Sequence, residues 1–172
     1  NDLFLNKEIN KNDSTNLGTL SVINEAFQYC YLNKKKTDTK FKNLIDKQES
    51  DYSRYLFFRI NNLIKNNDFQ NVKKISKSIN VLESNLLIQQ AKQWIDNSNF
   101  NKFNEIFSCE NESDILAEFF FLISNFLSAE KDFQKSNFYS NISLYLNPKF
   151  YFNLTHLISN YFENNKFSIA QE

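Results

Sequence analysis

Side chains able to do chemistry are few in this chain and poorly spaced for it. His156 is the one histidine, and neither Cys nor Asp stands at ligand spacing around it, so a metal site fails. With no partner to orient it, His156 reads as an ordinary helix residue rather than a catalytic base. Cys109, in Phe107-Ser108-Cys109-Glu110, has no basic neighbour to lower its pKa and makes no case as a nucleophile. Asp114 and Glu118 form an i, i+4 acidic pair, but at a helix start, where the macrodipole favours negative charge. A single glycine leaves no room for a glycine-rich phosphate loop. Neither enzymatic activity nor a cofactor is expected of these residues.

The rest of the composition narrows the partners. Twenty basic and twenty acidic residues give a formal net charge of zero, without the basic footprint of a nucleic-acid binder. All the basic residues but Arg54 and Arg59 are Lys, whereas phosphate recognition favours the bidentate fork of Arg. No apolar run approaches the length of a membrane span; the greasiest stretch, Phe119 to Phe126, is broken by Ser124 and Asn125. Cys30 and Cys109 do not amount to a disulfide framework. Two reduced, partly buried thiols are the expected state, with a single bridge as the alternative. The abundance of Asn, Lys, Ile and Phe resembles the drift of an AT-rich, bacterial genome. The chain opens at Asn1 rather than Met, which reads as a fragment or processed form. A cytoplasmic location is expected, with the periplasm left open.

One Gly and one Pro in 172 residues argue against a sheet protein, whose tight turns call for those residues. A helical protein with short polar loops is expected. A short pattern marks its turns: a polar residue followed by Phe, at Asp68-Phe69, Asn99-Phe100, Asp132-Phe133 and Lys166-Phe167. The spacings of 31, 33 and 34 residues match one helical hairpin per copy. Asp and Asn at three of these positions are favoured N-caps. A longer apolar-periodic segment precedes each copy, at about 51–66, 84–97, 114–130 and 151–164. A shorter one follows, at about 69–80, 100–109 and 133–146, and the last is cut off at Glu172. Ser84 and Ser113 are expected N-caps of longer helices, and Pro148 lies where a helix should stop. Leu17 to Asn33 and Thr39 to Gln48 read as one further hairpin joined by Lys34-Lys35-Lys36. Residues 1–16 read as a linker or the end of a preceding repeat.

Residues 117–148 resemble a tetratricopeptide repeat. Phe120 and Ile123 take its large positions, Ser124, Ser136 and Ser143 its small ones, and Pro148 its closing proline. Leu154, Leu157, Tyr161, Phe162, Phe167 and Ala170 continue the pattern at an offset of 34. The copy at 84–116 keeps Leu87, Ala91, Trp94 and Phe100, and the copy at 53–84 keeps Leu56, Leu63 and Phe69. Departures are Ile158 and Phe103 at small positions and Lys131 in place of the turn glycine. The resemblance implies an all-α right-handed superhelix, an α-solenoid of antiparallel helix hairpins with nine or ten helices. Its repeats would run 17–50, 51–83, 84–116, 117–150 and a truncated 151–172.

The resemblance also implies a concave groove lined by the first helix of each pair, holding a peptide or a partner subunit. It places Asn61, Lys92, Glu118, Phe121, Asn125, Thr155 and Ser159 there, with Asn125 where this family often bonds a ligand's backbone. Glu118 and Phe121 interrupt the Lys, Arg and Asn register needed to clamp a C-terminal carboxylate. The implied function is a protein-interaction scaffold. The alternative is the helical-repeat arm of a larger enzyme or envelope-assembly protein, and end-to-end self-association is a third possibility. Too few residues follow 151–164 to cover its apolar face, which is expected to be exposed.

Overall fold

The computed structural model describes residues 18–46 and 53–164, and every regular element among them is an α-helix. There are nine: α1 (Gly18–Tyr31), α2 (Thr37–Asp46), α3 (Ser53–Lys65), α4 (Phe69–Ser78), α5 (Leu86–Asp96), α6 (Asn101–Ile106), α7 (Glu112–Ala129), α8 (Phe133–Leu146) and α9 (Phe152–Glu163). The expected linker at 1–16 and the Lys166-Phe167 copy lie outside the described residues. No described helix is long and apolar enough to cross a membrane. The chain divides into two compact units, Asn1–Glu110 and Asn111–Glu172.

The turns carry the repeat more regularly than the side chains do. Asn33, Asn67, Ser98 and Lys131 have positive φ of 49°, 58°, 56° and 60°, at spacings of 34, 31 and 33 residues. Each closes a helix in the same way. The amide of the left-handed residue donates to the carbonyl three positions back, and the next amide donates to the carbonyl five back. At Lys131 and Asp132 these bonds reach Ser128 O and Leu127 O, both at 2.9 Å. At Asn67 and Asp68 they reach Ile64 O and Leu63 O, also at 2.9 Å. This double bond satisfies the orphan carbonyls of a helix end and reverses the chain.

The residue after the turn then starts the next helix. Asp68 accepts from the Asn71 amide and Asp132 from the Lys135 amide, as expected of N-caps. Asn99 does not cap: α6 starts from Phe100, which is already helical and makes no side-chain cap bond. Ser84 and Ser113 do not cap either. Asn85 accepts from the Ile88 amide, and Asn111 from the Ser113 amide. The apolar register of Leu87, Ile88, Ala91 and Ile95, all buried, sets the start of α5 one residue later than Ser84 would.

The first unit has an aromatic core. Within it α1 packs on α2, α2 on α3, α3 on both α4 and α5, and α4 on α5. Phe27 meets Phe41, Phe58 and Phe107 at centroid distances of 5.5, 5.1 and 6.2 Å. Phe58 meets Phe107 at 4.4 Å, and Phe103 lies between Phe57 and Trp94. Arg59 grips Asp38 with two guanidinium nitrogens, at 2.6 and 3.3 Å, and so ties α3 to α2. The cysteines depart from expectation. Cys30, in the last turn of α1, and Cys109, beyond α6, are disulfide-bonded with Cα atoms 5.6 Å apart. Packing the Phe27–Phe58–Phe107 cluster brings their segments together, which their separation in sequence hides.

The second unit is built on small polar residues instead. Ser124 Oγ donates to Ser136 O and Ser136 Oγ to Ser124 O, both at 2.8 Å, while Ser143 Oγ donates to Ala117 O at 2.7 Å. Partner numbers rise along α7 as they fall along α8, so the two helices are antiparallel. Asn153 and Asn160 bond Ser143 Oγ and Ser136 Oγ at 2.7 and 2.6 Å, which makes α9 antiparallel to α8. His156 lies 3.1 Å from Ser124, and Ser128 donates to Asn160 Oδ1 at 2.6 Å. Both pairs are 32 residues apart, so α7 and α9 run parallel, one repeat length on. Tyr151, just before α9, and Leu154, Ile158 and Phe162 along it are exposed, whereas Leu157 of the same helix is buried.

Lys131→Gly should stabilise the protein by roughly 0.5–1 kcal/mol, because a side chain with Cβ is strained at this left-handed position. Lys131→Val should destabilise it, and chemical denaturation of both variants checks the turn. A second expectation concerns acid. The Asp132 carboxyl is held below its ordinary value of 3.8, first by the Lys135 ammonium and then by the Lys135 amide. Its capping contribution is therefore complete above the unfolded-state value and is lost as pH falls through the lower folded one. Asp132→Asn, which keeps the acceptor and loses the charge, should weaken the acid dependence of stability below about pH 4.

Candidate partner-binding face

The seven residues placed in a groove by the sequence separate into internal and exposed groups. Asn61, on α3, is only 5% exposed and donates through Nδ2 to Phe107 O at 2.7 Å and Phe103 O at 3.3 Å. It thereby satisfies carbonyls at the end of the six-residue helix α6, a structural duty that leaves no amide proton for a ligand on that edge. Lys92, on α5, reaches Asp96 at 3.1 Å and Ser76 O at 3.2 Å. Its ammonium and then the Ser76 hydroxyl hold the Asp96 carboxyl below the usual range. Lys92 thus ties α5 to α4. Glu118 and Phe121 are also interior, at 1% and 8% exposure. Asn61, Glu118 and Phe121 are thus buried, whereas the Lys92 side chain keeps 23% exposure. Neighbouring segments cover the three buried residues, and periodicity carries no information about that.

Asn125, Thr155 and Ser159 are exposed. α7 meets α8 through Ala117 and Ser124, and meets α9 through Phe121, Ser124 and Ser128. Asn125 sits about 40° round the helix from Phe121, on the flank turned away from α8. On α9, Asn153 faces α8 and His156 faces α7. Ser159 lies about 60° from His156 on the side opposite Asn153, and Thr155 lies just beyond it. The three therefore border the α7–α9 seam on its free side. Asn125 makes no side-chain hydrogen bond among the described residues. The Thr155 and Ser159 hydroxyls donate to Phe152 O and Thr155 O at 2.8 and 3.0 Å. Their oxygens keep lone pairs for an incoming N–H.

Beneath this edge runs a seam of hydroxyls and amides. The Ser124 proton is committed to Ser136 O and the Ser136 proton to Ser124 O. Asn160 Nδ2 supplies a proton to Ser136 Oγ, and Ser140 Oγ lies 2.6 Å from Ser124 Oγ. His156 Nε2 lies 3.1 Å from the same Ser124 Oγ. A Ser–His pair at 3.1 Å has the separation of a nucleophile and its base. Here Ser124 is fully buried, so a substrate carbonyl has no approach. The seam holds three helices at serine distance. Its signal in the sequence is the matched register: Ser124 with His156 and Ser128 with Asn160, each 32 apart.

Asn160→Ala should cost about 2 kcal/mol, since it strands the Ser128 hydroxyl and removes the donor to Ser136. Asn125→Ala should change stability by less than about 0.5 kcal/mol. Denaturant midpoints for the two variants separate the internal seam from the free edge. Compared with known proteins, the chain matches no family model, no curated protein and no solved structure.

Proposed function

We propose that this chain is an interaction scaffold of tetratricopeptide type, in which the α7–α9 edge bearing Asn125, Thr155 and Ser159 receives a peptide or a segment of a partner protein. The observation that carries this reading is the recurrence of one helix-reversing turn at 33, 67, 98 and 131. A chain that reverses every 31 to 34 residues is a series of helix pairs. A lone pair cannot bury its apolar stripe and must stack on the next. The 32-residue offset of the parallel helices α7 and α9 agrees with such stacking, as does the approach of Cys30 in α1 to Asn62 in α3. Stacking of this kind leaves one edge of the first helix in each pair free. There Asn125 offers both a donor and acceptors, as recognition of an extended backbone requires.

A photo-crosslinking residue at position 125 or 159 should capture a partner from the cells that make this protein. The same residue in place of Phe138, exposed on α8, should not. Once the partner is in hand, Asn125→Ala should weaken binding roughly 2- to 10-fold, the worth of one or two hydrogen bonds. Capture at 138 with none at 125 or 159 would move the site to the other side of the helix pair.

A further inference from the structure

We infer that this protein works in an oxidising compartment, as a substrate of a protein disulfide donor that joins Cys30 to Cys109. The two sulfurs come from positions 79 apart in sequence, yet their Cα atoms lie 5.6 Å apart, inside the range that a bridge spans without backbone movement. They are the only cysteines in the chain, so the bond leaves no free thiol. Proteins kept in a reducing cytosol carry thiols, and lasting bridges belong to secreted, periplasmic or surface proteins. The sequence alone favours the cytoplasm; the pairing favours the other side of the membrane. The placement separates this bridge from a catalytic one. Redox-active pairs are close in sequence and reachable, whereas Cys30 and Cys109 are 1% and 7% exposed and flank the Phe27–Phe58–Phe107 cluster.

The step balances as exchange. A Cys thiolate attacks the donor's disulfide and expels one donor thiolate, and the second Cys thiolate then attacks the mixed disulfide and expels the other. Two protein thiols and one donor disulfide become one protein disulfide and two donor thiols. The bond joins the last turn of α1 to the residue preceding Glu110, where the first unit ends. The part of the unit that holds α2 to α6 is thus closed into a covalent loop, and a loop of this length strongly restricts the unfolded chain. The second unit contains no cysteine and serves as an internal control.

Protein taken directly from its producing cells should be quenched in acid and alkylated with N-ethylmaleimide under denaturing conditions. The expected mass shows no adduct before reduction and two after it. One or two adducts before reduction would overturn the assignment to an oxidising compartment. The wild-type protein should then be compared with and without a thiol reductant, which keeps both sulfur atoms in the core and avoids a misfolding variant. Reduction should lower the melting temperature by about 4–15 °C and speed amide exchange in α1–α6, leaving α7–α9 unchanged. Equal melting and exchange in both forms would overturn the bond's role as the closure of the first unit.

Discussion

Turning a chain back within a helix pair costs backbone geometry that most residues avoid, and among the described residues four positions bear that cost. Asn33, Asn67, Ser98 and Lys131 each take a left-handed conformation that glycine would occupy without strain. The compensation is local and repeated: two amide–carbonyl bonds at every turn remove two orphan carbonyls. Where the next residue is Asp, its carboxylate also caps the following helix, so one short segment ends a helix and begins another. The lengths of the helix pairs, and the faces they present to one another, follow from where these turns fall.

On that common frame the two units use opposite means of filling space. In the first, rings at 4.4 to 6.3 Å hold helices apart and fill the gap with apolar volume. In the second, Ser124, Ser136, Ser140 and Ser143 let the backbones close until hydroxyls reach carbonyls across the interface. Aromatic packing tolerates modest shifts of register. A hydroxyl ladder does not, because a shift of one residue would break every bond along it. Polar atoms buried without partners would be costly; here Asn153 and Asn160 bridge α9 to the serines of α8.

The sequence makes the hairpin spacing legible because Phe69, Phe100 and Phe133 each sit two residues past the left-handed turn residue, where position and chemistry coincide. The helix class follows from the scarcity of Gly and Pro for the same reason. The serine positions of the second unit are also legible as small residues, although not their hydrogen bonds. Helix starts at 84 and 113 are not, because Ser and Asn both cap well and only the buried register of α5 chooses between Ser84 and Asn85. The exposure of Asn125, Thr155 and Ser159 is legible, where helical phase alone decides it. Phase fails for Asn61, which α6 covers from more than forty residues away in sequence. Cys30 and Cys109 fail likewise: nothing local announces a contact made through three intervening phenylalanines.

The covalent bridge also decides how the first unit would bear a mechanical load. Tension entering the chain ahead of Cys30 and leaving after Cys109 crosses directly from sulfur to sulfur. Helices α2 to α6, lying inside the loop, are shielded from it and cannot be drawn out in sequence. A pull strong enough to unravel an uncrosslinked helical array would extend this unit only by the residues outside the bond, those ahead of Cys30 and Glu110 after it. The seam of α7 to α9 has no such bypass, and its hydrogen bonds would take the same force in full.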